Sequence, residues 1–276
     1  MSDNRLFEDP IHANIYAKYR SIAPNNVIKI IIDYLGEKVS PNNWHIAVDV
    51  GCGSGQATNS LAQYFHRCYG LDVSAAQIKV ATDSQHPINV VYEICSAENM
   101  STIDTNSVQL VTAFQCVHWF DFEKFMRETT RVLVDNGVVA LVGNLFGEAI
   151  DPNNPEDNSI NGLLYDWRCD QRMPRFSDTK IKDNNYMDYK FDDNYEYKYL
   201  DNIRQPKIIT SLDIIGRLES SSRYQELLAR DPESAQMIIE DYKDRLKAIL
   251  KIDNLLNKQI TAYYTYFIAL GRKLTN

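Results

Sequence analysis

The chain has 276 residues, 44% of them hydrophobic, and a formal net charge of −8, which provides the core of one large α/β domain or of one domain with a sizeable insertion. The acidic balance argues against a phosphate-binding surface over the whole molecule, and no lysine/arginine run marks a local one, so nucleic acid is not an expected partner. The polar start Met1-Ser2-Asp3-Asn4-Arg5 lacks the apolar stretch of a secretory signal, and no apolar run is long enough for a bilayer, so a soluble cytoplasmic protein is expected.

In chain order, Ile11 to Leu35 has helical spacing. Ile15, Tyr16, Tyr19 and Ile22 share one face, and Pro24 opens a second helix through Val27, Ile28, Ile31, Ile32 and Leu35, which Gly36 ends. After the turn at Pro41-Asn42-Asn43, the run His45 to Val50 suits a buried parallel strand and stops at glycines. Ala57 to Phe65 is helical, Cys68 to Val73 is strand-like, and Ser74 caps a helix through Ile78, Val80 and Ala81. Strands follow over Val90 to Ile94, Val108 to Phe114 and Val138 to Val142, with a helix over Phe122 to Leu133 and a turn at Asp135-Asn136-Gly137. This alternation predicts a doubly wound, mostly parallel sheet that binds ligands outside the carboxyl ends of its strands.

Beyond Asn144 the character changes. Residues 145–207 are rich in Asp, Asn and Tyr, show little periodicity and carry Pro152, Pro155, Pro174 and Pro206, as expected of a lid or substrate-binding insertion. Ser211 to Leu250 reads as helix in three segments broken near Ser220 and Pro232, and the β-branched and aromatic run Ile260 to Leu270 as a final strand. The expected organisation over 1–276 is one domain: helices over 1–40, a ligand-binding core over 44–144, the cap over 145–207, and helices with a last antiparallel strand over 208–276. The five cysteines, Cys52, Cys68, Cys95, Cys116 and Cys169, are widely spaced without a Cys-x-x-Cys pair, and read as reduced thiols with no metal site.

The chemistry-bearing motif is Asp49-Val50-Gly51-Cys52-Gly53-Ser54-Gly55. Glycines after a buried strand let backbone N–H groups approach a ligand and open onto a helix N-terminus. A dinucleotide fingerprint needs a third glycine at position 56, where this chain has Gln56. The next strand ends in Gly70-Leu71-Asp72-Val73-Ser74, and a carboxylate there can accept both hydroxyls of a ribose. The competing readings are a plain strand-to-helix turn for the glycines and a polar residue before the Ser74 cap for Asp72.

Asp49-x-Gly51-x-Gly53-x-Gly55 followed by Gly70-x-Asp72-x-Ser74 resembles class I S-adenosylmethionine-dependent methyltransferases, whose fold is a Rossmann-like sheet. Ser96-Ala97-Glu98, Gln115-Cys116-Val117-His118-Trp119-Phe120 and Arg131-Val132-Leu133-x-x-x-Gly137 resemble the small-molecule branch that includes trans-aconitate methyltransferases and their fungal and animal relatives. The resemblance covers the first half of the chain well and the rest in outline. It implies S-adenosylmethionine as cofactor and S-adenosylhomocysteine as product. Gly51, Gly53 and Gly55 would pack on the methionine part, Asp72 would hold the ribose, and Val73 would lie against adenine. Ser96, Ala97 and Glu98 would border the adenine edge, with Ser96 standing where an Asp is frequent. Gln115 would lie beside the sulfonium. Tyr16, Tyr19 and Arg20 match an N-terminal Tyr-x-x-Tyr-Arg helix that closes over the cofactor, Tyr19 facing the substrate and Arg20 pairing with the cofactor carboxylate.

For the acceptor, His118 is the obvious candidate base, with a packed, hydrogen-bonded histidine as the more frequent outcome at such a position. Trp119 is expected in the substrate-pocket wall. Trp167-Arg168-Cys169-Asp170-Gln171-Arg172-Met173-Pro174-Arg175 sets three arginines among apolar residues, and arginine forks suit carboxylates. Trp167 and Arg168 therefore join the pocket expectation, against a reading of these arginines as surface pairs with Asp166, Asp170 and Asp178. A carboxylate is already ionised at neutral pH and needs no base, so carboxyl O-methylation of a small acid is favoured. Methylation of an alcohol, amine or carbon centre on a metabolite or lipid stays open, as does non-catalytic cofactor binding. Oligomeric state and pathway are not legible.

Overall fold

The structure, a computed structural model, describes residues 9–19, 23–174 and 185–275. Seven strands, β1 (Ile46–Val50), β2 (Arg67–Asp72), β3 (Val90–Ile94), β4 (Val108–Phe114), β5 (Leu133–Ile150), β6 (Tyr195–Thr210) and β7 (Gln259–Lys273), form one sheet in the order β3-β2-β1-β4-β5-β7-β6. β1 pairs in parallel with β2 and β4, β2 with β3, and β4 with β5, and one strand of the sheet is antiparallel. The strand order reverses between β1 and β4, which places a topological switch point at their carboxyl ends. Ala47 to Val50 are all buried, as a central strand covered on both faces requires.

The chain falls into two compact units. One comprises Ile22–Asn144, Thr179–Ile203 and Tyr266–Asn276. It holds β1 to β4 and the helices α2 (Asn25–Gly36), α3 (Gln56–Leu61), α4 (Ala75–Asp83) and α5 (Phe122–Val132). Its core joins Val48 and Val50 of β1, Val111 and Ala113 of β4, Leu141 of β5, Phe125 and Val132 of α5, and Phe267 of β7. The end of α5 is tied down by Arg131, which pairs with Glu128 and donates to the carbonyls of Met100 and Ile103, each at 2.9 Å.

The other unit comprises Met1–Ser21, Leu145–Asp178 and Arg204–Thr265. It holds α1 (Pro10–Tyr19), α6 (Ser159–Cys169), α7 (Ser211–Glu219), α8 (Ser222–Arg230) and α9 (Pro232–Leu250). The breaks between the last three helices fall where Ser220 and Pro232 predict them. Each new helix starts on its own cap: the Thr210–Asp213 capping box, Ser221, and Asp231 ahead of Pro232. Among the described residues, no helix is long and apolar enough to cross a membrane.

The stretch after Asn144 is more regular than its composition suggests. β5 continues to Ile150, α6 follows, and β6 begins at Tyr195. β6 escapes a periodicity reading because it is an edge strand that exposes Glu196, Lys198, Asp201, Lys207 and Ile208, so charge and apolar residues do not alternate cleanly. Its Pro206 is tolerated because an edge strand can spare an N–H. Helix α3 stops at Leu61, short of the Phe65 that the spacing predicts.

Candidate active site

The glycine loop joins β1 to α3. Gly51, Gly53 and Gly55 have φ of 61°, 55° and 84°, and Gly55 forms the left-handed N-cap of α3. Two of the three are closed off by packing. A Cβ on Gly51 would sit 2.7 Å from Sγ of Cys116, and one on Gly55 would sit 2.0 Å from the hydroxyl of Tyr92. Tyr92, on β3, donates to Oδ1 of Asn59 at 2.8 Å and holds the loop from beneath. Gly53 differs: within 4 Å its Cβ would meet only Oε1 of Gln77, at 3.8 Å. The open face of the loop is therefore at Gly53.

Asp72, at the end of β2, is tied to that face. Its Oδ2 accepts the N–H of Gly53 and its Oδ1 the N–H of Ser74, both at 2.9 Å. The next residue, Val73, is an apolar side chain 51% exposed to solvent. Beneath the loop, Asp49 is buried, accepting from the hydroxyls of Thr58 and Thr112 at 2.7 Å each. Burial pushes its carboxyl up to about 6; the two hydroxyls oppose the rise, and the nearby charge of Asp72 adds to it. The thiols of Cys52 and Cys116 are raised well above their ordinary value, first by burial and then by these carboxylates, which disfavours the thiolate form.

After β3, Ser96, Ala97 and Glu98 form a tight turn. The Ser96 hydroxyl bonds one oxygen of Glu98, and the other accepts the N–H of Asp121 at 2.9 Å. Glu98 thus spends its carboxylate on the protein. After β4, Gln115 adopts φ 58°, an uncommon conformation for a residue with a side chain, held by its N–H to Val142 O and its Nε2 to Asn144 O, each 2.8 Å. A short 3-10 turn over Val117–Trp119 then presents His118 and Trp119. Trp119 is 45% exposed, and Nδ1 of His118 lies 3.2 Å from the hydroxyl of Tyr186. Tyr186 is buried edge-on against Phe267.

Gly51, Gly53, Gly55, Asp72, Val73, Ser96, Ala97, Glu98, Gln115, His118 and Trp119 all belong to the unit built on β1 to β4, on segments that follow β1, β2, β3 and β4. Tyr16 and Tyr19 belong to the other unit, where the Tyr19 ring covers Gly216. Arg20 and Arg175 lie outside the described residues. Trp167 is a core residue of that second unit, its ring centroid 4.9 Å from that of Tyr242 and 6.0 Å from that of Tyr224. Arg168 donates to the carbonyl of Phe146, and Arg172 forks onto Asp170 and reaches Asp241. Arg172 is thus engaged by carboxylates of the chain itself, by Asp170 as the surface-pair reading expects and also by Asp241.

Residues missed in the sequence are Tyr92, Gln77 and Tyr186. Ser74-x-x-Gln77 has the spacing of a capping box and was a legible signal; Tyr92 and Tyr186 reach their partners across long sequence separations. Among the described residues, no group of three or more His, Cys, Asp or Glu side chains is placed to hold a metal.

The arrangement suits a nucleoside carrying a charged tail: an open glycine face, a carboxylate at its rim, and an exposed apolar side chain next to it. Residues 48–141 match the family model described as a methyltransferase domain. The chain is 28% identical over 259 residues to a protein of Dictyostelium discoideum described as a methyltransferase, covering 94% of this chain and 92% of that one. It is 26% identical over 171 residues to a protein of Saccharomyces cerevisiae described as an S-adenosylmethionine-dependent methyltransferase, covering 60% of this chain and 55% of that one. A solved structure from Anaeromyxobacter dehalogenans, described as a type II methyltransferase, shares the fold with a TM-score of 0.70 at 24% identity, covering 94% of this chain and all of that one. With the glycine loop and Asp72 inside the matched segment, the chain carries a methyltransferase domain over residues 48–141, and its sequence relatives and fold support an S-adenosylmethionine-dependent methyltransferase.

Proposed function

We propose that this enzyme O-methylates the carboxylate of a small acid. The observation that carries the reading is the hydrogen bond between His118 and Tyr186. Which imidazole nitrogen holds the proton is set by the bond the other makes. Where the phenol donates to Nδ1, the proton sits on Nε2 and His118 is a hydrogen-bond donor; where Nδ1 carries the proton, the ring donates to the phenol instead, and the reading takes the first of these tautomers. A donor suits an anionic acceptor, and a carboxylate needs no proton removed before it attacks. The resemblance to trans-aconitate methyltransferases points the same way.

In this reading Gly53 and its neighbours Gly51 and Gly55 let the backbone approach the methionine part of the cofactor. Asp72 holds the ribose, Val73 covers adenine, and the backbone at Ser96–Glu98 borders the adenine edge, since the Glu98 side chain is already engaged. When bound, the cofactor supplies a methyl group activated by its sulfonium. The contribution of the chain is orientation: Gln115 is locked at the end of β4, and His118 and Trp119 follow on a rigid turn, so that the acceptor oxygen can be held in line with the methyl.

The test is to supply cofactor with a labelled methyl to a panel of carboxylic acids, alcohols and amines, and to treat the products with mild base. A methyl ester releases its label as methanol, and that release is the expected result. Label retained through hydrolysis, on nitrogen, carbon or an ether oxygen, contradicts carboxyl methylation.

A further inference from the structure

Ser74-Ala75-Ala76-Gln77 has the form of a capping box, in which the fourth residue reaches back to the backbone N–H of the first. Half of the box is made: the Ser74 hydroxyl accepts the N–H of Gln77 at 3.2 Å. The other half is pre-empted, because the N–H of Ser74 donates to Oδ1 of Asp72. Gln77 is left 2% exposed, with its Oε1 buried and without a hydrogen-bond partner. A buried amide oxygen in that state is costly and rare in a native protein. The Gln77 oxygen borders the one open glycine of the loop, 3.8 Å from where a Cβ on Gly53 would lie, and Gly53 is the residue whose N–H is held by the other oxygen of Asp72.

Two acceptors therefore flank one open glycine, a carboxylate from the end of β2 and an amide oxygen from the first turn of α4. We propose that Gln77 is a positioning residue for the cofactor, its Oε1 accepting one hydroxyl of the ribose diol while Asp72 accepts the other. This rests on the placement of the ribose at Asp72 given above. A vicinal diol presents two donors side by side, and a carboxylate whose oxygens already take two backbone N–H groups is better matched to one of them than to both. Asp72 thus does two things: it holds the loop, and by occupying Ser74 it frees Gln77 for the ligand.

The experiment is calorimetric titration of the full chain with S-adenosylhomocysteine and with its 2′-deoxy and 3′-deoxy analogues, for wild type, Gln77→Met and Gln77→Ala. Both variants are expected to lose about three- to tenfold in affinity for the full nucleoside. That loss is expected to vanish for one of the two deoxy analogues. The thermal midpoint of unliganded Gln77→Met should stay at or above that of wild type, since an unpaired buried acceptor has been removed; a purely capping role would lower it. Wild-type affinity in both variants, or the same loss for all three nucleosides, overturns the assignment. If the wild-type chain binds none of them, the ribose site itself falls and this assignment with it.

Discussion

The hydroxyl of Tyr186 lies 3.2 Å from Nδ1 of His118, joining the stretch that precedes β6 to the turn that follows β4. If this bond fixes His118 as a donor, His118→Ala should lower kcat/KM on the acid about 10- to 100-fold, the range for a hydrogen bond to a charged group. His118→Gln, which restores a donor, should recover part of the loss. Tyr186→Phe should cost less than tenfold, because it frees the tautomer without removing the ring. Steady-state kinetics at pH 7.5 check all three; equal activity of His118→Ala and wild type contradicts the role.

Gly53 and Gly55 share a left-handed backbone but not their surroundings. Gly53→Ala places a methyl in open space, so it should fold, with about 1–2 kcal/mol lost to the strained backbone, and its affinity for S-adenosylhomocysteine should fall about 100-fold. Gly55→Ala drives a methyl onto the Tyr92 hydroxyl and should lose more stability than Gly53→Ala. Urea unfolding together with ligand titration separates a blocked site from a broken loop.

Asp49 gives a pH signature. Its carboxyl is raised from 3.8 to about 6 in the folded chain by burial. Between those two values the folded state binds the proton more tightly than the unfolded one. The contribution of Asp49 to stability is therefore fully present below the unfolded value and is lost as pH rises through about 6. The loss is on the order of 3 kcal/mol for a shift of this size. Asp49→Asn removes the titration, so the stability of wild type relative to the variant should decline from pH 4 to pH 7. A flat difference across that range contradicts it.

Much of the β1 to β4 core is legible in the sequence because its signals are local: a buried strand ending in glycines, a serine cap, an acid at the end of the next strand. The strands Val90–Ile94 and Val108–Phe114 and the two breaks in the C-terminal helices follow from the same kind of signal. What is not legible depends on distance in sequence. Tyr92 reaches Asn59, Tyr186 reaches His118, and Arg223 collects the carbonyls of Arg168 and Asp170 at the end of α6, at 2.8 and 2.7 Å. No periodicity announces such partners. β6 is missed for another reason, since an edge strand with exposed charge lacks the alternation that marks a half-buried one. The arginines of the 167–175 segment were chemically apt for an acid, but Asp170 and Asp241 had already claimed Arg172.

The central claim is that the glycine loop and Asp72 form the cofactor site, and calorimetric titration with S-adenosylhomocysteine tests it most directly. Wild type should bind at a ratio of one per chain. Asp72→Asn, which keeps the shape of the side chain and removes its charge, should weaken binding about tenfold or more, and Asp72→Ala about 100-fold or more. No binding to the folded wild-type chain, or undiminished binding by folded Asp72→Ala, would contradict the account.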